Sequence, residues 1–584
     1  MEEPLARIRG HLAALYGDEA GADAFARLRA TLDAFRRAHP ALAVAPPPAE
    51  RLSQDDVILI TYGDQVSEPG RAPLQTLLDT LDTTFRRVTG GVHILPCYPF
   101  TSDDGFSVVD YTMIDPALGT WEDVEAIARR YRLMLDAVVN HISASSAWFQ
   151  AFLRGEPGAE ARFITVDPAT DLSLVTRPRT HPLLTRFETA AGPRWVWTTF
   201  STDQIDLNFA NPEVLLAIVD VLLLYAAHGA SLIRLDAIGY LWKEIGTRCI
   251  HLPQTHRVVQ LVRAVFDAVA PGVLLITETN VPHADNISYL GDGTNEAQLV
   301  YQFPLAPLVL HAFMSGNARY LSNWAAELAP PSASTTFFNF LASHDGIGVV
   351  PASGILRQEE IAELCARAVA HGGFVSYKSN PDGSQSPYEL NITLFDMLSD
   401  PAQDDPLAIE RFVAANAIML ALQGVPGVYV HSLVGSHNDH EGAARTGRAR
   451  SINRRKWARA ELNAALADPA SHERRVFERM AALLAARRRE PAFHPGAPQQ
   501  VIPAHAALFT FLRTARDGGS RMLCVHNVAD RPQPLWLDVG AYGLAAGTRL
   551  NDLLTGLEYQ VDSDGMLVLS VPPYGVRWLR ADGG

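Results

Sequence analysis

Ala230-Ser231-Leu232-Ile233-Arg234-Leu235-Asp236-Ala237 is an apolar run of strand character that closes on an arginine and an aspartate. Side chains alternate along a strand, so Arg234 and Asp236 point to the same side. Three more segments follow the same design: Asp136-Ala137-Val138-Val139-Asn140-His141, Ile276-Thr277-Glu278-Thr279 and Leu341-Ala342-Ser343-His344-Asp345. Each ends an apolar run with acidic, basic or hydrogen-bonding groups. That placement is expected where parallel strands deliver side chains to one rim of a barrel.

Outward from these segments, short β-type runs alternate with amphipathic stretches. The candidate strands are 57–61, 91–95, 132–139, 230–235, 273–277, 298–303, 336–341 and 427–430, and segments such as 73–87, 212–228 and 254–269 carry helical periodicity. This alternation predicts an α/β fold, a (β/α)8 TIM barrel over residues 55–490. Two gaps, 142–206 (domain B) and 346–408 (domain B′), are rich in Pro, Gly, Ser and Asp. They are expected to be loop insertions that build a substrate site. Residues 1–54 read as an N-terminal helical extension and linker, with Leu5, Ile8, Leu12, Leu15 and Tyr16 on one face before Pro46-Pro47-Pro48. Alternating strands after a basic helix near 476–489 predict a C-terminal β-domain over 491–584.

The 584 residues are 48% apolar with a net charge of −15. Such a chain supports a large core, and its acidity argues against nucleic acid or an anionic membrane as partner. Cys97, Cys249, Cys365 and Cys524 lack paired spacing, so neither a disulfide framework nor a zinc site is expected. The start Met1-Glu2-Glu3-Pro4 lacks signal-peptide character, and the apolar runs 214–224 and 414–430 are interrupted by Asp220, Asn416, Gln423 and Pro426. The expectation is a cytoplasmic protein. His437 and His440 with Asp439 and Glu441 fit a polar loop better than a metal site, and no phosphate-cradling glycine motif supports a nucleotide cofactor.

Cleaving a glycosidic bond takes one carboxylate to stabilise or attack the anomeric carbon and another, protonated, to assist the leaving oxygen. Asp236 and Glu278, on neighbouring strands four and five, are the candidate pair; their placement suits the roughly 5–5.5 Å carboxyl separation of a retaining mechanism. Arg234 can hold Asp236 ionised through a charge-assisted hydrogen bond. Asp345 and His344, on strand seven, can clamp sugar hydroxyls as the ring distorts. Phe106 reads equally as a core aromatic or a sugar-stacking wall.

The four segments, in this order, resemble the signature regions of the α-amylase superfamily of glycoside hydrolases over about residues 55–460. Gly91-Val92-His93-Ile94-Leu95-Pro96, Ser102-Asp103-Asp104-Gly105-Phe106, Leu118-Gly119-Thr120-Trp121, Thr176-Arg177-Pro178-Arg179 and Ser343-His344-Asp345-Gly346-Ile347-Gly348-Val349 are similar to its sucrose-phosphorylase branch. The resemblance implies Asp236 as nucleophile, Glu278 as acid/base and Asp345 as transition-state carboxylate. It implies a glucose pocket of Asp103, Phe106, His141, Arg234, His344 and Arg454. It also implies phosphate contacts from Arg179 and Tyr388.

Sucrose phosphorylases carry glutamine where this chain has Glu389, and they lack the wording Asp382-Gly383-Ser384-Gln385-Ser386-Pro387. These features, with Thr279-Asn280-Val281-Pro282-His283, resemble glucosylglycerate phosphorylases. An acceptor bearing a carboxylate then needs a cation, with Arg177, Arg179 and Lys378 as candidates, and Glu389 stands in the same phosphate and acceptor region. The implied reaction is retaining phosphorolysis of 2-O-α-D-glucosylglycerate to α-D-glucose 1-phosphate and D-glycerate by double displacement through a β-glucosyl-enzyme. Inorganic phosphate is the co-substrate, and no metal or other cofactor is expected. The competing readings are a sucrose or sucrose 6′-phosphate phosphorylase, an α-glucosidase or transglucosylase, and a non-catalytic carbohydrate-binding barrel. The expected partners are a small-molecule α-glucoside and phosphate; the oligomeric state, homodimer or otherwise, stays open.

Overall fold

The computed structural model describes residues 2–581. Its centre is a closed barrel of eight parallel strands: β1 (Ile58–Thr61), β2 (Gly91–Ile94), β3 (Arg132–Ala137), β4 (Ala230–Leu235), β5 (Leu274–Thr277), β6 (Leu299–Tyr301), β7 (Thr336–Asn339) and β8 (Val425–Tyr429). Each strand pairs with its neighbours in chain order, and β8 closes on β1. Both faces of these strands are covered, so their sequences read as nearly continuous apolar runs. Gly427 on β8 leaves room for the Phe338 ring, which a Cβ there would meet at 2.5 Å.

All eight predicted runs are barrel strands, with differences at their ends. β3, β6 and β7 stop two residues short of the predicted limits, at Ala137, Tyr301 and Asn339. There the chain leaves the ladder and carries the site residues over the rim. β8 begins two residues early, at Val425, and includes Pro426, while Val430 already opens a short helix.

The first two helices, α1 (Glu2–Tyr16) and α2 (Asp18–Ala38), lie against the outer barrel helices α3 (Pro212–Ala227) and α4 (Pro253–Val269). Ile8 and Leu12 are buried from the predicted apolar face, and Leu5, Leu15 and Tyr16 are partly covered. Arg7 pairs with Asp267 at 2.8 Å, the Tyr16 hydroxyl donates to the Phe209 carbonyl at 2.9 Å, and Arg27 reaches Glu213 at 2.8 Å. The extension therefore adds a layer to the barrel wall.

Residues 142–206 hold the helix Ala147–Leu153 and the hairpin Leu184–Thr189/Gly192–Trp197. Residues 346–408 hold a three-stranded antiparallel sheet of Ile347–Gly348, Gln385–Asn391 and Phe374–Ser379. An isolated bridge between Arg177 and Ser379 ties the two insertions together. Beyond the barrel lie a six-stranded antiparallel sheet and the two-stranded pair Gln533–Asp538/Met566–Val571. All four cysteines are buried and unpaired, and no helix among the described residues is long and apolar enough to cross a membrane.

Arg487 joins the barrel base to the C-terminal region. It is fully buried and donates to the carbonyls of Leu420, Gly424, Phe493 and Gln54. Replacing it with an apolar side chain strands several buried carbonyls. Arg487→Leu is expected to lower the unfolding free energy of the full chain by on the order of 3 kcal/mol in a urea titration. An unchanged midpoint would show that water satisfies those carbonyls.

Candidate active site

The floor of the barrel mouth is organised around Arg234. In the β3/β4 ladder Arg234 stands in register with Asp136, and both side chains face the interior. One guanidinium nitrogen donates to Asp136 and, at 2.7 Å, to Asp236; the other terminal nitrogen lies 3.7 Å from Glu278. From β2, His93 closes on the far oxygen of Asp136 at 2.6 Å. Burial alone raises the Asp136 carboxyl, but Arg234 and then His93 bring it down to about 2. Asp136 is thus a permanent counter-charge for Arg234.

Asp236 follows β4 directly, its N–H bonded to the Ala137 carbonyl at 3.2 Å. Ala237 then adopts a left-handed conformation, φ 48°, which costs an L-residue about 1 kcal/mol. That turn aims its N–H at Glu278 Oε2, 3.0 Å away. Strain stored here therefore fixes the orientation of a carboxyl across the site. Burial raises the pKa values of both Asp236 and Glu278, with Arg234 opposing in each case. Arg234 approaches Asp236 at 2.7 Å and Glu278 at 3.7 Å, so its charge favours the ionised form of Asp236 the more strongly of the two.

Asp345 follows β7, where burial would raise its pKa; Arg450 above all, with Arg234 and Arg454, holds it well below the usual carboxylate range. Arg450 is 2.7 Å from its Oδ1, and His344 Nε2 is 3.4 Å from its Oδ2. Burial lowers the pKa of His344, keeping it neutral, and its ring stacks on Phe106 with centroids 4.7 Å apart and planes 1° from parallel. Phe106 is both a buried aromatic and a wall of the cavity, so its two sequence readings merge. His141 Nε2 donates to the Phe106 carbonyl at 2.9 Å, while its Nδ1 lies 3.3 Å from Asn140.

One cavity unites most of the residues singled out in the sequence. Asp103, Phe106, His141, Asp236, Glu278, His344 and Asp345 line it from the barrel rim, and Arg179, Tyr388 and Glu389 line it from the insertions. Arg234 lies beneath the cavity. Arg454 lies behind it, bonded to the His344 carbonyl at 2.7 Å and to Asp104 at 2.5 Å. Asp103 and Asp104 are consecutive residues at φ 54° and 49°, a second strained backbone beside the site.

The insertions supply the mouth. Arg179 sits 5.0 Å from the Tyr388 ring centre and 5.7 Å from that of Phe200. No carboxylate among the described residues pairs with it. Arg177 and Lys378 are not brought into the cavity: the Arg177 guanidinium donates to the His181 carbonyl, and Lys378 donates to Asn380 at 3.0 Å. Glu389 is there, but Arg450 takes both of its oxygens.

Sequence reasoning missed Arg450, Phe200, Tyr240, Asn280 and Phe303, all of which line the cavity. Arg450 is one of five arginines between 445 and 455, and no local pattern distinguishes it. Asp136 stood inside a quoted segment without a role, although its register with Arg234 was readable from the strand ends. The histidines after β8 are accounted for locally: His437 bonds Asp396 at 2.6 Å, and Asp439 caps the helix His440–Thr446 through the Gly442 N–H.

The alpha-amylase catalytic domain matches residues 82–360. The glucosylglycerate phosphorylase of Allomeiothermus silvanus is 55% identical, covering 90% of this chain and 93% of that protein. The glucosylglycerate phosphorylase of Spirochaeta thermophila is 48% identical and covers 99% of each chain. Among solved structures, sucrose 6F-phosphate phosphorylase from Thermoanaerobacter thermosaccharolyticum superposes with a TM-score of 0.72 at 25% identity, covering 91% of this chain and 99% of that one. A strained, arginine-anchored carboxylate site on a barrel rim and full-length similarity of this degree coincide in one chain, which thus belongs to the α-amylase family, in the group of the glucosylglycerate phosphorylases.

Proposed function

We propose that the chain is a retaining phosphorylase that converts 2-O-α-D-glucosylglycerate and phosphate into α-D-glucose 1-phosphate and D-glycerate. The observation that carries this reading is a carboxylate site on a barrel rim whose mouth holds an arginine, Arg179, with no acidic partner. Two relatives named glucosylglycerate phosphorylase, 55% and 48% identical, support it.

In the first step Asp236 attacks the anomeric carbon while Glu278 delivers its proton to the departing glycerate oxygen, leaving a β-glucosyl ester. Arg234 holds the Asp236 carboxylate in line, and Asp345 with His344 grips the ring as positive charge grows at the anomeric centre. In the second step phosphate enters from the side that glycerate left. Glu278, now a carboxylate, takes the phosphate proton as an oxygen attacks, and Asp236 departs. Two inversions give net retention.

Phosphate must outcompete water for the ester. Arg179 attracts the anion, with Tyr388 beside it, and the aromatic walls of Phe106, Phe200 and Phe303 limit the room for water. Glycerate and phosphate occupy this position in turn and both are anions, so one unneutralised arginine serves each. Arg177 and Lys378 then act from outside the cavity, adding positive potential along the approach. Glu278 supplies the proton transfer and Arg234 the charge, so phosphate as co-substrate completes the chemistry without a metal or organic cofactor. Four unpaired cysteines fit a reducing cytoplasm.

Initial rates of glucose 1-phosphate release from glucosylglycerate, sucrose and sucrose 6′-phosphate test the reading. The expected outcome is preference for glucosylglycerate and strict dependence on phosphate. Preference for either sucrose compound would overturn the substrate, equal sugar release without phosphate would indicate a hydrolase, and no turnover at all would indicate a binding barrel.

The pH profile tests the role of Glu278. Burial raises its pKa, so kcat/KM for glucosylglycerate falls as pH rises through a value above the ordinary carboxylate range, where the proton for the leaving oxygen is lost. In Glu278→Gln this basic limb is expected to vanish, with turnover down on the order of 100-fold or more. α-Glucosyl fluoride, whose leaving group needs no proton, should still glycosylate this variant. A basic limb that persists in Glu278→Gln would assign the acid elsewhere.

A further inference from the structure

Arg450 connects three segments that are far apart in sequence. It lies in the turn Ala449–Asn453, Glu389 on the strand Gln385–Asn391, and Asp345 just beyond β7. Its Nη2 is 2.5 Å from one Glu389 oxygen and its Nε 3.1 Å from the other, a two-pronged clamp. The remaining nitrogen, Nη1, is 2.7 Å from Asp345 Oδ1 and 4.0 Å from Asp103. The same turn grips the Asp345 backbone: Asn453 donates to the carbonyls of Ser343 and Asp345, and Arg454 to that of His344. The contact is close, since a Cβ on Gly346 would stand 2.8 Å from the Glu389 Cβ.

Resting on the reading of the site as a phosphorylase, we propose that Arg450 is a positioning residue with two effects, holding Asp345 as an anion in place and cancelling the charge of Glu389 beside the phosphate position. Two charge arguments support this. Asp345 shares a buried site with Asp236 and Glu278, and Arg234 is already engaged by Asp136 and Asp236, so Asp345 needs a cation of its own. Glu389 directly follows Tyr388, whose ring lies against Arg179. A bare carboxylate there would repel phosphate, and the clamp removes that repulsion. Glu389 thus works through Arg450, and Arg179 is left as the cation that meets the anion.

The groups facing Asp345 are Arg450, Arg234, Arg454 and His344 on the positive or neutral side, Asp236 and Glu278 on the acidic side, with Tyr301 and Tyr429 nearby. Arg450 leads the influences that lower the Asp345 pKa. Removing it therefore raises the pH below which Asp345 is protonated and inactive.

The test combines Arg450→Met, Glu389→Gln and the double variant in the full chain, with circular dichroism and urea midpoints to establish folding. The pH profile of kcat/KM on α-glucosyl fluoride, which needs neither phosphate nor glycerate, reads the two carboxylates that must be ionised, Asp236 and Asp345, and only Asp345 is in contact with Arg450. In Arg450→Met its acid limb is expected to move up by about one pH unit or more. Phosphate KM in phosphorolysis should rise about tenfold, because Glu389 is left bare. Adding Glu389→Gln should bring phosphate KM back toward the parental value while the acid limb stays displaced.

An unmoved acid limb, or a phosphate KM that Glu389→Gln does not restore, overturns the inference. If Arg450→Met does not fold, Glu389→Gln alone decides: phosphate KM should fall as Arg450 gains free charge, and an unchanged or higher KM overturns the proposal. A parental enzyme that consumes no phosphate sinks the phosphorylase reading, while the limb on α-glucosyl fluoride still judges Arg450.

Discussion

Arg234 is buried beneath the barrel mouth with carboxyl groups from Asp136, Asp236 and Glu278 around it. Taking a guanidinium out of water costs several kcal/mol unless its donors are matched. Here carboxylates from the ends of β3, β4 and β5 surround its terminal nitrogens and offset that charge. The barrel register places Asp136 beside Arg234, and the two residues from Arg234 to Asp236 return the side chain to the same face. Stability and chemistry therefore draw on the same contacts. The arginine requires these carboxylates in order to be buried, and the reaction requires them at the anomeric carbon.

The arginines around the site form a graded series. Arg234 at the floor is neutralised by Asp136 and Asp236, Arg454 behind the wall by Asp104, and Arg450 at the side by Asp345 and Glu389. Arg179 at the mouth is the one left with aromatic rings in place of carboxylates. Matched charges hold geometry, while an unmatched one attracts an incoming anion. An acidic chain can thus present a local anion site, because its net charge of −15 says nothing about a few ångströms at the mouth of one cavity.

The barrel was legible because each strand is covered on both faces and so reads as an unbroken apolar run. Asp236, Glu278, His344 and Asp345 were legible because each directly follows such a run. The mouth was harder to read. Phe200, Tyr240 and Arg450 sit on connecting segments where no period constrains the side-chain direction. Glu389 was legible as part of the phosphate and acceptor region, but a sequence does not reveal that Arg450, some sixty positions on, takes both of its oxygens. Arg177 stands two residues from Arg179 yet points elsewhere. Its backbone is tied to Ser379, and its guanidinium is occupied by the His181 carbonyl. Proximity in sequence gave no warning of that difference.

The most direct test of the account is to trap the sugar on the enzyme. α-Glucosyl fluoride is supplied to Glu278→Gln without phosphate, the reaction is quenched in acid, and peptides are mapped by mass. The expected result is a single glucosyl unit esterified to Asp236, absent when Arg234 is also changed to Met. A sugar found on Asp345 or on any other side chain, or a full yield of the Asp236 ester without Arg234, would contradict the claim that Arg234 holds Asp236 as the nucleophile.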